Sequence, residues 1–190
     1  MKDLLTYFEK FLPLSSTSRN LILQTSECIQ FKKHEKIIYA GEQSKYIYIL
    51  KSGLVRGYKI LKGNEITTFI WMENEIFGDI ITYISNERSQ NTYEALEYVE
   101  VYRIDITKFK SLFISSHEIC NLGRMMAESY IYKTETLKEI LRHNCADEKF
   151  QLFLKHRPGL ISRTKLKYIA SFIAISPETL SRIRNLVLQN

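Results

Sequence analysis

The hydrophobic period of this 190-residue chain changes just after Asp105, and that change limits the folds open to it. Before it, from about residue 20 to 106, the pattern is short and β-like. Tyr46-Ile47-Tyr48-Ile49-Leu50 is aromatic and β-branched, as strands are. It runs through Lys51-Ser52-Gly53 into a second such run, residues 54–60. Lys62-Gly63-Asn64-Glu65 reads as a turn, and residues 66–72 as the next strand. Residues 92–96 and 97–104 read as two more. In the last, Tyr98, Glu100, Tyr102 and Ile104 alternate with Val99, Val101 and Arg103. Closely spaced short strands with Gly turns predict a sandwich or barrel.

After Asp105 the spacing becomes helical. Thr107 is placed to cap a short helix holding Phe109, Leu112 and Phe113. From Ser116 to about His143 there is no proline and only one glycine. Apolar residues fall at Ile119, Leu122, Met126, Tyr130, Leu137 and Ile140, mostly three or four apart. That is the stripe of one long amphipathic helix. A helix of that length after a compact β unit predicts a dimer seam along Leu122, Met126, Tyr130 and Leu137. The competing arrangement packs the same stripe on its own β unit, and Lys133 interrupts it. Residues 147–156 read as a further helix with Phe150, Phe153 and Leu154 inward, ended by Arg157-Pro158-Gly159.

Composition narrows the function classes. Hydrophobic residues make up 45% and charged residues 25%, which argues against a disordered chain. No stretch approaches the roughly 18 apolar residues of a membrane span. The first ten residues lack the apolar core of a signal peptide. Cys28, Cys120 and Cys145 are too scattered for a disulfide framework, so a reducing cytoplasm is expected. The net charge is +6, and its distribution matters more than its size. Residues 141–190 hold nine basic side chains, Arg142, Lys149, Lys155, Arg157, Arg163, Lys165, Lys167, Arg182 and Arg184, against Asp147, Glu148 and Glu178. That surplus equals the charge of the whole chain. A neutral body with a basic end predicts a polyanionic partner, the competing reading being a solvated face.

The most informative stretch is Lys165 to Arg184. Ile169, Ala170 and Ile173 share one face of a first helix, and Ile175 follows at a turn. Ser176 is the N-cap of a second helix, with Pro177 first in it and Glu178 in its first turn. Leu180 and Ile183 face inward. Glu178, Thr179, Ser181, Arg182 and Asn185 face outward, suited to base edges and phosphates. This is the pattern of a DNA-binding helix-turn-helix. The turn slot that commonly holds Gly holds Ala174, and a left-handed Ala costs about 1 kcal/mol.

A β unit, a long helix and a C-terminal helix-turn-helix, in that order, resemble the Crp/Fnr superfamily of bacterial transcription regulators, its short Bacteroidetes-like members in particular. The residues that carry the resemblance are Tyr48 to Arg56, the turn at Gly63, Glu75-Ile76-Phe77-Gly78-Asp79, and Ile175 to Arg184. It implies an α+β fold: an N-terminal cyclic-nucleotide-binding-like β-roll (a jelly roll with flanking helices) over 1–115, a long dimerisation helix over 116–144, and a helix-turn-helix domain over 145–190. It implies a homodimer on double-stranded DNA, with RNA polymerase as a further partner and no membrane. The family's base-reading Glu and Arg fall on Glu178 and Arg182. Its first base-reading Arg falls on Pro177, so that contact is absent. Lys165, Lys167, Ser176, Thr179, Ser181 and Arg184 complete the expected DNA-binding set. The chain ends shortly after the recognition helix, so no β-hairpin wing is expected there.

The implied effector pocket is Gly78, Asp79, Arg88, Ser89 and Gln90. Cyclic-AMP-binding members carry a Gly-Glu pair for the ribose, then an Arg-Ser pair ten residues on for the phosphate. Here Gly78-Asp79 stands in the first place, and ten residues on is Ser89, with Arg88 one place early. In a strand one step turns a side chain to the opposite face. A buried phosphate without an Arg has no charge partner, so cyclic AMP is not expected as ligand. No cofactor and no metal site is expected. Iron–sulfur members of the family carry an N-terminal cysteine cluster, and only Cys28 lies there. His34, His117, His143 and His156 are scattered, and His143-Asn144-Cys145 has no matching pair. Glu73, Glu75 and Asp79 lack a nucleophile or general-acid context, so an enzyme is not expected. The alternative function is a ligand-sensing module whose helix-turn-helix serves protein contacts.

Overall fold

A computed structural model describes the backbone of residues 1–85 and 87–188, and the side chains of these except Ile80, Ile81, Tyr83, Val187 and Leu188. The last two residues of the expected C-terminal domain, 189 and 190, lie outside the described residues. The chain opens with two helices, α1 (Lys2–Glu9) and α2 (Ser16–Gln24). Strands β1 (Ser26–Phe31), β2 (Lys36–Ile38), β3 (Tyr46–Ser52), β4 (Val55–Leu61), β5 (Asn64–Trp71) and β6 (Ile76–Phe77) follow. A short helix, α3 (Ile80–Ser85), precedes β7 (Thr92–Ala95) and β8 (Val99–Asp105). Then come α4 (Ile106–Ser115), α5 (His117–Arg142), α6 (Ala146–His156), α7 (Leu160–Arg163), α8 (Leu166–Phe172) and α9 (Pro177–Leu188).

The strands form two antiparallel four-stranded sheets, in the orders β1-β8-β3-β6 and β2-β7-β4-β5. Alternation along β8 explains how one strand serves two cores. Val99 and Val101 face the core between the sheets, with Leu50, Val55, Trp71, Phe77 and Tyr93. Tyr102 and Ile104 face the other way, onto Leu4, Phe8, Phe109 and Leu122. Gly53 turns β3 into β4 at φ +99°, and a Cβ there would meet the Tyr98 carbonyl oxygen at 2.5 Å.

The strands expected at residues 46–104 are present, with edges shifted by at most two residues. Three expectations are corrected. Residues 20–24 are helical, because Ser15 caps α2 by accepting from the Ser18 N–H at 3.2 Å. The cap of α4 is Asp105 and not Thr107. The Asp105 carboxylate accepts from the N–H of Thr107 (2.9 Å) and of Lys108 (3.0 Å). The third correction concerns the stripe on α5. The helix spans 26 residues, with Ser116 as its N-cap. Leu122 and Met126 are buried against α1 and α4. Leu137 is buried with Phe150, Phe153 and Ile169 of the C-terminal helices. Tyr130 is half-buried and lies toward Asp79 and Tyr93 of the β unit. The stripe therefore packs on its own chain, which removes its apolar surface from water without a second copy. The one glycine of α5, Gly123, sits where a Cβ would meet the Phe113 ring at 2.5 Å.

Candidate functional site

The C-terminal helices share an apolar cluster with one face of the β unit. Phe150, Phe153, Leu160, Ile169, Ala170, Ile173, Leu180 and Ile183 join Leu54, Ile70 and Leu96 in it. Within it α8 and α9 are joined by a tight turn whose Ala174 has φ +54°. The Ile175 N–H donates to the Ala170 carbonyl across that turn (3.0 Å). Ser176 caps α9 by accepting from the Thr179 N–H at 3.1 Å. Leu180 and Ile183 are buried, so the opposite side of α9 is turned to solvent.

That outer face holds Glu178, Arg182 and Asn185, which are exposed, with Thr179 and Ser181 half-exposed beside them. The backbone N–H of Glu178 and the Ser176 hydroxyl hold the Glu178 carboxyl below its ordinary pKa. Arg182 has no ion-pair partner among the described residues. Lys165 and Lys167 are exposed at the start of α8, their ammoniums 5.9 and 5.3 Å from the Tyr168 ring centre. Arg184 is half-buried, and its Nε is enclosed without a hydrogen-bond partner. It stands off the outer face, one helical turn beyond the buried Leu180.

Sequence reasoning missed the residues that fasten this unit to the β sheets. Arg56 of β4 is 1% exposed. Its guanidinium lies 3.9 Å from the Tyr168 ring centre and 4.5 Å from that of Tyr58. It donates Nε–H to Thr67 Oγ1 (2.9 Å) and Nη1–H to Glu65 (2.7 Å). Arg157 is also buried; it donates to Glu75 at 2.6 Å and stacks on Phe69 at 5.0 Å. Arg163 donates to both Glu73 oxygens (2.7 and 2.9 Å) and to Glu97. The Arg163 hydrogen bonds hold the Glu73 carboxyl down at about 2, against the opposing effect of burial. The signal in the sequence was Arg56 itself, a cation inside the apolar run Leu54-Val55-Arg56-Gly57-Tyr58. Glu73 and Glu75 are thus partners of arginines, which leaves neither available as a catalytic carboxylate pair with Asp79.

The effector positions are brought together only in part. Asp79 and Ser89 are buried, and the Ser89 hydroxyl donates to Asp79 Oδ2 at 2.5 Å. The other Asp79 oxygen accepts from the Thr82 N–H (3.4 Å), and the Asp79 carbonyl accepts from the Thr82 hydroxyl (2.7 Å), at the start of α3. Gly78 is buried beside them at φ +148°, and the Tyr93 hydroxyl donates to its carbonyl (3.5 Å). Burial first, and then the Asp79 charge, push the phenols of Tyr93 and Tyr130 above their ordinary pKa. Trp71 stacks on Tyr93 with ring centres 5.2 Å apart. Arg88 points away: it is exposed and donates Nη1–H to the Gly41 carbonyl at 2.9 Å. Gln90 is exposed as well. The chemistry here is a buried carboxylate ringed by hydroxyls, which disfavours a phosphate.

Among the described residues, no group of three or more His, Cys, Asp or Glu is placed to hold a metal. His34 pairs with Glu94 (2.6 Å) and His143 with Glu148 (3.0 Å), while Cys28, Cys120 and Cys145 are free and exposed. No described helix is long and apolar enough to cross a membrane.

Two antiparallel sheets, a long helix at their side and a capped pair of helices at the C-terminus make a β unit joined to a helical unit. Residues 28–116 match the cyclic nucleotide-binding domain family. The chain as a whole shares its fold with several solved bacterial proteins. FixK2 from Bradyrhizobium japonicum superposes with a TM-score of 0.70 at 20% identity, over 86% of this chain and 85% of that one. A protein from Eubacterium rectale assigned to the crp/fnr family of transcriptional regulators gives 0.69 at 18% identity, over 97% and 88%. A mutant of CooA from Carboxydothermus hydrogenoformans gives 0.67 at 15%, over 97% and 84%. No curated protein sequence matches the chain.

Proposed function

We propose that this chain is a Crp/Fnr-type transcription regulator that binds double-stranded DNA as a homodimer. Its β unit (1–115) is the sensor, 116–144 the dimerisation helix, and 145–190 a helix-turn-helix domain with α9 as recognition helix. The observation that carries the reading is the outer face of α9. Glu178 and Arg182 project one turn apart near its capped N-terminus, both exposed, and Arg182 meets no carboxylate among the described residues. In a major groove, Glu178 accepts from cytosine N4 and Arg182 donates as a fork to guanine. Ser176, Thr179, Ser181, Lys165 and Lys167 lie where they would hold phosphates, with Arg184 at the margin.

Support for the homodimer moves to another line on α5. Ala127, Ile131 and Leu141 are exposed, Ile131 at 59%, and share the solvent side at spacings that a paired helix uses. The effector region does not take cyclic AMP in this reading, because Ser89, bonded to Asp79, stands in the place of the phosphate-holding Arg, and Arg88 is turned away. The test is binding of the whole chain to a random-sequence duplex across a salt series, with and without millimolar cyclic AMP. Affinity is expected to fall by orders of magnitude between about 50 and 200 mM salt. The two series are expected to superimpose. Salt-independent or absent binding overturns the DNA reading, and a cyclic-AMP-dependent shift overturns the effector reading.

A further inference from the structure

We infer that the cleft between α5 and the end of α6 is a binding site for a small oxyanion, the phosphate or carboxylate group of a small molecule, held by Lys133, Arg157 and His156. The inference is independent of the DNA-binding reading.

The cleft has a volume of about 210 Å³. It is lined by Lys133 and Leu137 of α5, by His156 and Arg157 at the end of α6, and by Glu75 of the β5–β6 turn. One water needs roughly 10 to 15 Å³, so the space admits a small molecule. The cavity between Trp71, Met126 and Tyr130 measures about 20 Å³, room for little more than a water. None of Gly78, Asp79, Arg88, Ser89 and Gln90 lines the larger cleft.

The charges of the cleft are out of balance. Lys133 breaks the apolar stripe of α5, and its ammonium lies 3.8 Å from Glu75 Oε1. The same oxygen already accepts from Arg157 at 2.6 Å. The other Glu75 oxygen accepts from the Met72 N–H at 3.0 Å. One carboxylate, with both oxygens engaged, thus faces two cations. At 3.8 Å the Lys133 ammonium makes no hydrogen bond, so its donors are unspent. The Arg157 side chain is only 5% exposed, and it makes one hydrogen bond among the described residues. A guanidinium has five N–H donors. No unpartnered Arg157 nitrogen is sealed from solvent, so the remaining donors open on the cleft. His156 is half-buried on the same wall, with no hydrogen-bond or ion-pair partner among the described residues. The next acid along α5, Glu135, is engaged by Lys138 and Arg142.

Two cations exceed the single carboxylate by one charge, and an oxyanion seated among Lys133, Arg157 and His156 makes up the difference through charge-assisted hydrogen bonds. Its donors come from α5 and from the end of α6, and Arg157 carries the link on to the β unit through Glu75. An occupant therefore joins three parts of the fold, and its affinity is coupled to their arrangement.

The test is titration calorimetry of the whole chain in a chloride buffer of fixed ionic strength, with inorganic phosphate and, separately, with succinate. Saturable heat at millimolar concentration or below is expected from at least one. Phosphate alone identifies a phosphate-bearing ligand, succinate alone a carboxylate-bearing one, and saturation by both a site open to either group. Lys133→Gln keeps much of the stem and removes the charge. It should weaken binding by at least about tenfold, the loss for one hydrogen bond to a charged group. Lys133→Arg should restore binding, and Lys138→Gln, elsewhere on α5, should match wild type. Both positions are exposed, so an unchanged thermal midpoint certifies the fold of each variant. Saturable heat that Lys133→Gln leaves unchanged overturns the inference, because the anion then sits on another basic face as an adventitious ion only. Absence of saturable heat from both anions at millimolar concentration overturns it as well.

Discussion

The C-terminal unit carries two sets of basic side chains that look alike in the sequence and differ in the fold. Arg157 and Arg163 turn inward and are held by Glu75, Glu73 and Glu97 of the β unit. Lys165, Lys167 and Arg182 turn outward and meet no carboxylate among the described residues. A surplus of charge along a chain therefore overstates what a partner can feel, because part of it is neutralised at home. The division follows side-chain chemistry. The planar guanidinium satisfies a carboxylate through two hydrogen bonds and tolerates burial on an aromatic ring, as Arg157 does on Phe69. The lysine ammonium is strongly hydrated and stays at the surface.

The largest effect should come from breaking an inward pair. Arg157→Ala leaves the half-buried Glu75 without its principal cation and removes the stacking on Phe69. Loss of about 3 to 5 kcal/mol is expected, the range for removing one partner of a buried pair. Urea unfolding of the variant measures it; a midpoint equal to wild type would show that the inward set contributes no stability. Next in size is an outward residue. Arg182→Ala should lose about 1 to 3 kcal/mol on an operator selected from a random pool, and little on scrambled DNA. Lys167→Ala should weaken both alike and reduce the salt slope by about one. Equal losses for Arg182→Ala on both duplexes would reassign it from base reading to phosphate anchoring.

The smallest effect is electrostatic and appears only in acid. Arg163 lowers the Glu73 carboxyl from 4.5 to about 2. A depressed carboxylate stabilises the fold above its unfolded pKa and loses that contribution as pH falls through the folded value. The pair is about one-third exposed, so no more than about 1 kcal/mol is expected after screening. The stability difference between wild type and Glu73→Gln should be complete above about pH 4.5 and vanish toward about pH 2. A difference that persists unchanged at the acid end would mean that Glu73 acts through packing and not through its charge.

The same division separates what was legible in the sequence from what was not. The sequence by itself determined features whose causes lie within a few residues. Ser176, Pro177 and the left-handed Ala174 announce the start of α9 and the turn before it. The absence of proline and the Ser116 cap delimit α5. Counting ten residues from Asp79 reached Ser89, and those two side chains do meet. Local caps, turn angles and a one-residue register act through backbone geometry, which neighbouring residues alone dictate. Only the tertiary structure decided which surface each apolar face covers. Periodicity showed that Leu122, Met126 and Leu137 share a side of α5, but an apolar stripe is indifferent to whether its own chain or another buries it. It also decided where Arg157 and Arg163 point, because their carboxylates lie 82, 90 and 66 residues away along the chain. Burial and ion pairing depend on distance in space, and at such separations only the packed fold sets it.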